Sequence, residues 1–463
     1  MGVIHSVVPY IKALTKPVSN NKRALLKQRW NELPERLKQP NQMVGRHWVQ
    51  CGYTLGPSYC SFGCSHCYLP KAANKVPLVS LSQMKRQIEA QRKLMGEGGN
   101  LQITGDDVVD AYFHAGRPDE LIEVLQYATK LGLVPMLMTH GQVLLEQPAY
   151  FERLVLEGGL RKLSIHIDIT MAGRAGYPIK QLSNEKLLNP LRDQFVDLVL
   201  AVRKKTSKSL VGAQTVTVVE KNIDSIGDIL KWLMARPENM DVCRTISFQT
   251  EANIGRTVIG GEAVTPNRVW AKVCAAIGQN LPRQHLLFGH EDCSSVANVL
   301  VRPSDQKVVN LSSETQLGKR FLNSALHTFG GLESKSITPI KSKFQKLGIM
   351  LRRPNVAFWG LLYLLELLIT SKASIGFFSS LLKGEARGFN IVMHNFMHGD
   401  ELKQPQSENV QQRIKACAFK GVAEIEGQWQ AVSMCEMNAN MRPQIYNQAR
   451  LDGADNALSV RTS

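Results

Sequence analysis

Residues 59–70 read YCSFGCSHCYLP and place three cysteines, Cys60, Cys64 and Cys67, in a C-x3-C-x2-C pattern. Three thiolates this close in the chain can bind one small inorganic centre from a single loop. Iron–sulfur clusters are normally held by four cysteine thiolates, so three would leave one iron without a protein ligand. The spacing therefore predicts a cluster at which a substrate or cofactor can bind directly to metal.

Structural zinc and a disulfide are the two alternative interpretations of these cysteines. Structural zinc sites use paired C-x2–4-C knuckles, and the sequence offers no second knuckle to complete the set. A disulfide needs an oxidising compartment, and we expect no cleavable secretory signal because the first apolar run is short and interrupted. The cluster interpretation is favoured over both.

The motif resembles the cluster loop of the radical S-adenosylmethionine (SAM) enzymes. In that family a C-x3-C-x-aromatic-C loop holds a [4Fe–4S] cluster, and the fourth iron chelates the amino and carboxylate groups of SAM. The resemblance implies cleavage of SAM to a 5′-deoxyadenosyl radical that abstracts hydrogen from a substrate. It also implies an electron donor such as a flavodoxin or ferredoxin. His66 holds the position that packs against adenine, so it is a cofactor-binding candidate.

Composition is consistent with a large intracellular enzyme. The chain has 463 residues, 44% of them hydrophobic, and a formal charge of +17. Such charge favours an acidic partner or surface, which nucleic acid, anionic lipid and acidic small molecules all satisfy. An odd set of nine cysteines suits a reducing cytosol better than a disulfide framework. The N-terminal MGVIHS fits a loose myristoylation pattern, which we attribute to chance.

Strands and helices alternate through the first half of the chain. Strands are predicted at 48–54, 101–104, 134–139, 163–170, 210–219 and 245–250, with helices at 20–34, 81–95, 118–131, 190–205 and 223–235. This α/β pattern agrees with the partial (β/α)6 TIM-like barrel that the resemblance implies, with cofactor and substrate at the carboxyl ends of the strands. We therefore predict a basic leader (1–45), a barrel (46–265) and an α+β C-terminal extension (266–463).

Gly105, Asp106 and Asp107 end the second predicted strand. The family usually has Gly-Gly-Glu here, which binds the SAM amino group, and this chain departs from that pattern. A carboxylate of Asp106 or Asp107 can still accept a hydrogen bond from an ammonium. Gly-Asp-Asp is also a common turn sequence. The position after a strand makes all three residues cofactor-binding candidates.

The fourth predicted strand alternates polar and apolar residues. Ser164, His166 and Asp168 would share one face, which points inward in a barrel. We predict that they contact the cofactor or substrate, although a single strand histidine is more often a hydrogen-bonded core residue. Gln249 on the sixth strand and Arg256 just after it are further cofactor-binding candidates, Arg256 as the partner of an anionic group.

Four residues of the C-terminal extension form a candidate auxiliary metal site. They are His290, Cys293, Cys417 and Cys435, and histidine can replace cysteine on iron. Their arrangement around a predicted hairpin resembles, over short pieces only, the C-terminal part of tetraether lipid synthases. The resemblance implies a second iron–sulfur cluster, whereas buried inert cysteines are the alternative.

Residues 356–369, VAFWGLLYLLELLI, follow a basic stretch. Fourteen residues interrupted by Glu366 are too few to cross a bilayer. The pattern fits either a helix in a headgroup layer or a core helix with a solvated approach.

We therefore predict a cytoplasmic radical SAM enzyme, or one that also associates with a membrane, acting on a lipid or another apolar anionic molecule. Nucleic acid is not the expected partner, because no dense block of Lys and Arg is present. The alternatives are a radical enzyme that modifies a peptide or RNA, and a non-catalytic iron–sulfur protein.

Overall fold

The alternation of strands and helices forms a mixed α/β fold around one sheet. The computed structural model describes residues 19–449 apart from 57, 258, 260–262, 313–314, 331–347, 349–350, 352, 371–376, 378, 381–382 and 405. The strands are β1 Cys51–Leu55, β2 Asn100–Thr104, β3 Val134–Thr139, β4 Lys162–His166, β5 Val211–Val218, β6 Cys243–Thr250, β7 Ser294–Arg302, β8 Lys307–Asn310, β9 Arg387–His394, β10 Phe419–Ile425 and β11 Gln428–Ser433.

Helices precede, connect and follow these strands. They are α1 Asn20–Glu32, α2 Leu81–Met95, α3 Val108–His114, α4 Pro118–Lys130, α5 Gln142–Glu146, α6 Pro148–Leu156, α7 Asn189–Thr206, α8 Ile226–Ala235, α9 Pro237–Val242, α10 Pro266–Ile277, α11 Gln316–Phe329, α12 Pro354–Thr370, α13 Gly399–Leu402, α14 Glu408–Ala416 and α15 Met434–Glu436. A π-helical turn, Met437–Met441, follows α15 and continues into helix over 442–449.

The eleven strands lie in the order β11-β10-β1-β2-β3-β4-β5-β6-β9-β7-β8. Strands β1 to β6 pair in parallel with their sequence neighbours, and β10 and β9 extend this parallel set at its two ends. Strand β11 and the pair β7–β8 are attached in antiparallel fashion. The chain after residue 265 therefore adds strands to both ends of the same sheet, and the division at that residue stays a prediction.

Apolar helix faces cover the parallel strands. Fully buried helix residues such as Ile88, Leu125 and Phe151 pack in one cluster with the strand residues Leu101 and Leu137. Helix α2 has the bounds predicted for it, because Ser80 and Gln83 form a capping box at its start and Gly96 ends it. Helices that bury one apolar face in this way fix where each strand ends and where the following loop begins.

Two predicted strand boundaries were wrong by three or four residues, and the others lie within two residues of the structure. Strand β1 starts at Cys51 rather than residue 48, and β4 ends at His166 rather than residue 170. The chain leaves the sheet after His166 because the Asp168 carboxylate accepts hydrogen bonds from the backbone N–H groups of Thr170 and Thr217, both at 2.8 Å. An aspartate that binds nearby backbone in this way favours a turn over a continuing strand.

Candidate functional site

The loop that follows β1, residues 58–70, is here named the cysteine loop. Its backbone is fixed from two sides. Gly63 N–H donates to Ala172 O at 2.8 Å. Asn74 forms a pair of hydrogen bonds with the backbone of Cys60, at 3.0 and 2.8 Å. The loop therefore has a defined shape that does not depend on the cysteine side chains.

All three thiols of the cysteine loop line one cavity. They are free and partly exposed. The rest of the lining includes residues at or near the carboxyl ends of five neighbouring parallel strands: Thr104, Thr139, Ser164, His166, Thr217 and Gln249. This is the end of a parallel α/β sheet at which ligands bind.

Electrostatics inside the cysteine loop favour a bound cation or an arginine beside the sulfurs. Burial raises the pKa of Cys60 and of Cys64 far above that of an ordinary thiol, and the neighbouring Asp107 and Cys67 respectively add to the effect. The positive charge of Arg256 opposes the rise in the pKa of Cys64, and Arg256 Nη2 donates to Cys67 Sγ at 3.2 Å. Arg256 thus contacts a sulfur of the loop, and its pairing with an anionic group of the cofactor or substrate stays a prediction.

A glycine makes this contact possible. Gly255, between β6 and Arg256, has a positive φ of 65°. A Cβ atom at this position would lie 2.1 Å from the carbonyl oxygen of Tyr68. Only glycine lets the two backbones approach so closely, so the loop after β6 and the cysteine loop form one packed unit.

The two aspartates after β2 have different environments. Asp107 caps α3 by accepting from Asp110 N–H, and it also accepts from the Thr139 hydroxyl and His140 N–H. Asp106 lines the same cavity as Asp107, and it lies 3.9 Å from Arg442 Nη1 and 3.4 Å from the Tyr446 hydroxyl. Asp107 is thus already engaged with backbone and side-chain donors, whereas Asp106 has capacity for a ligand.

The environment of Asp106 is buried and polar. Burial raises the pKa of Asp106 to about 7, and Arg442 opposes that rise. Among the described residues, hydrogen-bond partners are lacking for Asp106 Oδ2, for Nε and Nη1 of Arg442 and for Asn438 Oδ1. Buried polar atoms are almost always hydrogen-bonded. Asp106 and Asn438 line the cavity, so their unpartnered oxygens have the properties of an incomplete ligand site.

The other predicted cofactor-binding residues fall into two groups. His66, Gly105, Ser164, His166 and Gln249 line the cavity together with the two aspartates. The remaining two candidates, Asp168 and Arg256, lie outside the lining: Asp168 binds backbone after β4, and Arg256 contacts Cys67.

Sequence reasoning missed a second set of donors beside Cys60. Cys60, Asp110 and His140 place ligand atoms within 4.8 Å of one another, the one such group of three among the described residues. His140 stacks on Phe62 with 3.7 Å between ring centroids. Burial opposes ionisation of Asp110, yet hydrogen bonds from His140 and Ser61 hold its pKa below the usual range. No spacing signal pointed to this set, because its members come from three different elements.

Three of the four C-terminal metal candidates are brought together. Cys293, Cys417 and Cys435, here named the C-terminal thiol group, are electrostatic neighbours: burial raises the pKa of Cys435, and the other two thiols raise it further. Arg413 Nε donates to Cys293 Sγ at 3.4 Å. Cys435 also lines the cavity of the cysteine loop.

His290 has its two ring nitrogens directed elsewhere. Nδ1 accepts from Asp292 N–H at 3.1 Å, and Nε2 lies 2.6 Å from Arg36 Nη2. Both contacts involve residues other than the C-terminal thiol group, so coordination of a metal by His290 would require at least one of them to break.

Comparisons with known proteins give a weak structural likeness only. The sequence matches no protein-family model and none of the curated proteins. Similar solved structures include native anSMEcpe with bound AdoMet, at a TM-score of 0.35 and 10% identity over 70% of this chain and 98% of that chain. Two further matches are a histidine-tagged anSMEcpe with bound AdoMet (TM-score 0.33, 10% identity) and native anSMEcpe with bound AdoMet and the Cp18Cys peptide (TM-score 0.32, 9% identity). In both, the match covers 49% of this chain and 58% of the other. A likeness of this strength supports no assignment of function.

Proposed function

We propose that this protein is a radical SAM enzyme whose cluster is held by Cys60, Cys64 and Cys67. The observation that carries the proposal is their common location: one loop presents all three thiols to a cavity at the carboxyl ends of five parallel strands. That location matches a partial barrel, the fold we propose for β1 to β6 with their helices. When bound, a [4Fe–4S] cluster and SAM would supply reductive cleavage of SAM and hydrogen abstraction from a substrate.

The donor set of the cysteine loop fits a cluster better than a single ion. Thiolates bound at about 2.3 Å to one tetrahedral ion have sulfurs roughly 3.8 Å apart. The three thiols do not form a group within 4.8 Å, whereas Cys60, Asp110 and His140 do. Wider separation of the sulfurs suits a centre of several metal atoms, and the three cysteines would supply all of its protein ligands.

The polar cluster around Asp106 fits the amino-acid part of SAM. Its unpartnered atoms include a carboxylate oxygen of Asp106 and two guanidinium nitrogens of Arg442. An ammonium group would satisfy the first, and a carboxylate would suit the others. We assign Asp106 the ammonium, since Asp107 is occupied in capping α3. The Gly-Asp-Asp sequence thus retains one of the functions that Gly-Gly-Glu serves in the family.

The C-terminal thiol group supports a second cluster. Cys435 is buried, Cys293 and Cys417 are partly exposed, and the positive charge of Arg413 beside Cys293 and Cys435 would offset that of thiolates. Cys435 connects this group to the cavity of the cysteine loop. We propose these cysteines as ligands of an auxiliary cluster and leave His290 as a fourth ligand only if its contact with Arg36 opens.

The substrate we propose is apolar, a lipid or a molecule with a long hydrocarbon portion. Apolar side chains from four different segments line the cavity: Met138, Met171, Phe396 and Met434. Hydrogen abstraction needs an environment from which water is excluded, and these side chains would provide it. Polar side chains also line the cavity, among them Ser164, Thr217 and Gln249, and these are the partners that the alternative, a peptide substrate, would use.

Metal analysis after anaerobic reconstitution tests the proposal against a single-ion site. We expect iron and sulfide in the wild-type protein, together with SAM cleavage under reducing conditions. Cys64→Ala should lose SAM cleavage and the iron and sulfide of this cluster, whereas His140→Gln should keep its full iron content because His140 lies outside the proposed ligand set. A single ion on Cys60, Asp110 and His140 predicts the reverse: metal retained in Cys64→Ala and lost in His140→Gln. That result would remove the proposed function.

A further inference from the structure

Helix α12 is packed on one face only. Its inner face is buried at Val356, Tyr363 and Leu367, which are 2%, 6% and 7% exposed. The Tyr363 ring stacks on Phe321 of α11, and its hydroxyl donates to Leu311 O at 2.6 Å. These contacts fix the rotation of the helix, so the residues on the opposite face are held outward.

The outward face is apolar along its whole length. Large apolar side chains recur there at helical spacing, with one more just before the helix. We name them the apolar stripe: Leu351, Phe358, Leu361, Leu364, Leu365 and Ile369. Their exposure runs from 40% to 81%, and they are six of the nine exposed large apolar residues in the described part of the chain. A continuous patch of this kind marks an interaction surface.

Positive charge surrounds the apolar stripe. Arg320 lies over the Trp359 ring at 5.2 Å, and Arg353 is exposed just before the helix. The stripe has no acidic member; Glu366 lies away from it and accepts from the Thr315 hydroxyl at 2.7 Å. The sequence from 335 to 353 also carries six Lys and Arg and no Asp or Glu, although most of that stretch is outside the described residues.

These features fit a helix lying along a membrane. In the part of the chain that the structure describes, no helix is long and apolar enough to cross a bilayer. An apolar face with aromatic and basic residues beside it instead binds parallel to the bilayer surface, where arginines contact anionic headgroups. A second copy of this chain is a poorer partner, since pairing would bring Arg320, Arg353 and two net charges of +17 together.

We propose that α12 docks the protein on the surface of an anionic lipid bilayer, with the apolar stripe in the acyl boundary and Arg320 and Arg353 on the headgroups. This inference goes beyond the proposed radical chemistry and does not rest on it. It combines the two interpretations of residues 356–369: one face of the helix packs on the protein, and the other face contacts lipid.

Vesicle flotation of the full chain tests the docking surface. Vesicles of phosphatidylcholine alone are compared with vesicles that also contain phosphatidylglycerol. We expect flotation with the anionic vesicles, weakening as salt rises. Leu361→Glu with Leu365→Glu should lower the affinity about 100-fold, and Arg320→Gln or Arg353→Gln about 5-fold each.

A matched control separates lipid binding from general surface damage. Leu156 and Leu187 are exposed to similar extents, 53% and 48%, and lie outside the stripe. The double change Leu156→Glu with Leu187→Glu should float like the wild type. The proposal is overturned if the wild type floats with neither vesicle, or if Leu361→Glu with Leu365→Glu floats unchanged. A dimer in solution that this double change dissociates, without flotation, would assign the stripe to a second copy and equally overturn it.

Discussion

The cysteine loop and the C-terminal thiol group assemble three thiols in opposite ways. The first takes them from eight consecutive residues, 60–67, and the second from three segments spread between residues 293 and 435. Hydrogen bonds of its backbone with Ala172 and Asn74 hold the cysteine loop. The C-terminal thiol group takes one cysteine from just before β7, one from between α14 and β10, and one from α15, which follows β11. A local motif can therefore be recognised in the sequence, whereas a dispersed one depends on the completed fold.

The two groups nevertheless share one cavity. Cys435 lines this cavity. Arg442, seven residues after Cys435, lies 3.9 Å from Asp106, a residue of the first part of the chain. Between Cys435 and Arg442 the π-helical turn Met437–Met441 sets the direction of the helix, and such turns are frequent at functional sites. The last described segment thus connects the cysteine loop with the C-terminal thiol group. Substitutions made in each of these two regions test how far they act separately.

Removing one cysteine from each group gives the largest expected difference. If both groups hold [4Fe–4S] clusters, iron should fall from roughly eight to roughly four atoms per chain in Cys64→Ala and also in Cys435→Ala. Only Cys64→Ala should lose SAM cleavage completely, because its cluster is the one that contacts SAM. Iron counting and 5′-deoxyadenosine detection after anaerobic reconstitution check this. Equal iron in the wild type and Cys435→Ala would show that the C-terminal thiol group binds no cluster.

Two glycines with positive φ provide a matched pair of substitutions. Their expected effects, on unfolding free energy, are smaller than the loss of a cluster. Gly255 (φ 65°) faces the backbone of Tyr68, whereas Gly427 (φ 73°), in the hairpin of β10 and β11, has nothing within 4 Å of an added Cβ. Gly427→Ala should cost about 1 kcal/mol of unfolding free energy from backbone strain alone. Gly255→Ala adds a clash with Tyr68 O and should cost about 3 kcal/mol or more. Denaturant unfolding measures both losses of unfolding free energy. Equal losses would contradict the close packing of the loop after β6 on the cysteine loop.

How much of the fold and of the candidate site could be predicted from the sequence depends on how far apart in the chain the interacting residues lie. The spacing of Cys60, Cys64 and Cys67 and the strand ends at Thr104 and Thr139 are local properties, and the structure places all of them on one cavity. The sequence could not decide between Asp106 and Asp107, because that choice depends on α3, a short helix that sequence reasoning did not predict. The pairing of Arg442 with Asp106 could not be predicted either, since it arises only in the folded chain.

The pH dependence of ligand binding has the smallest expected effect. It tests directly whether the C-terminal segment contributes to the site built on the cysteine loop. S-adenosylhomocysteine carries the same ammonium and carboxylate as SAM and is not cleaved, so its affinity can be measured by calorimetry. Asp106 must be ionised to accept from the ammonium, and burial raises its pKa to about 7 against the opposing effect of Arg442. Affinity should therefore increase as pH rises through that value, by up to about 10-fold per pH unit below it.

Arg442→Gln removes a positive charge beside Asp106, so the midpoint of this profile should move to higher pH. Asp106→Asn should abolish the pH dependence and lower the affinity about 10-fold or more. Arg442→Lys, which keeps the charge, is the matched control and should leave the midpoint near that of the wild type. A role of Arg442 in packing alone would weaken binding equally at every pH in both Arg442 variants. A midpoint that moves only with loss of charge would show that the C-terminal segment completes the site built on the cysteine loop.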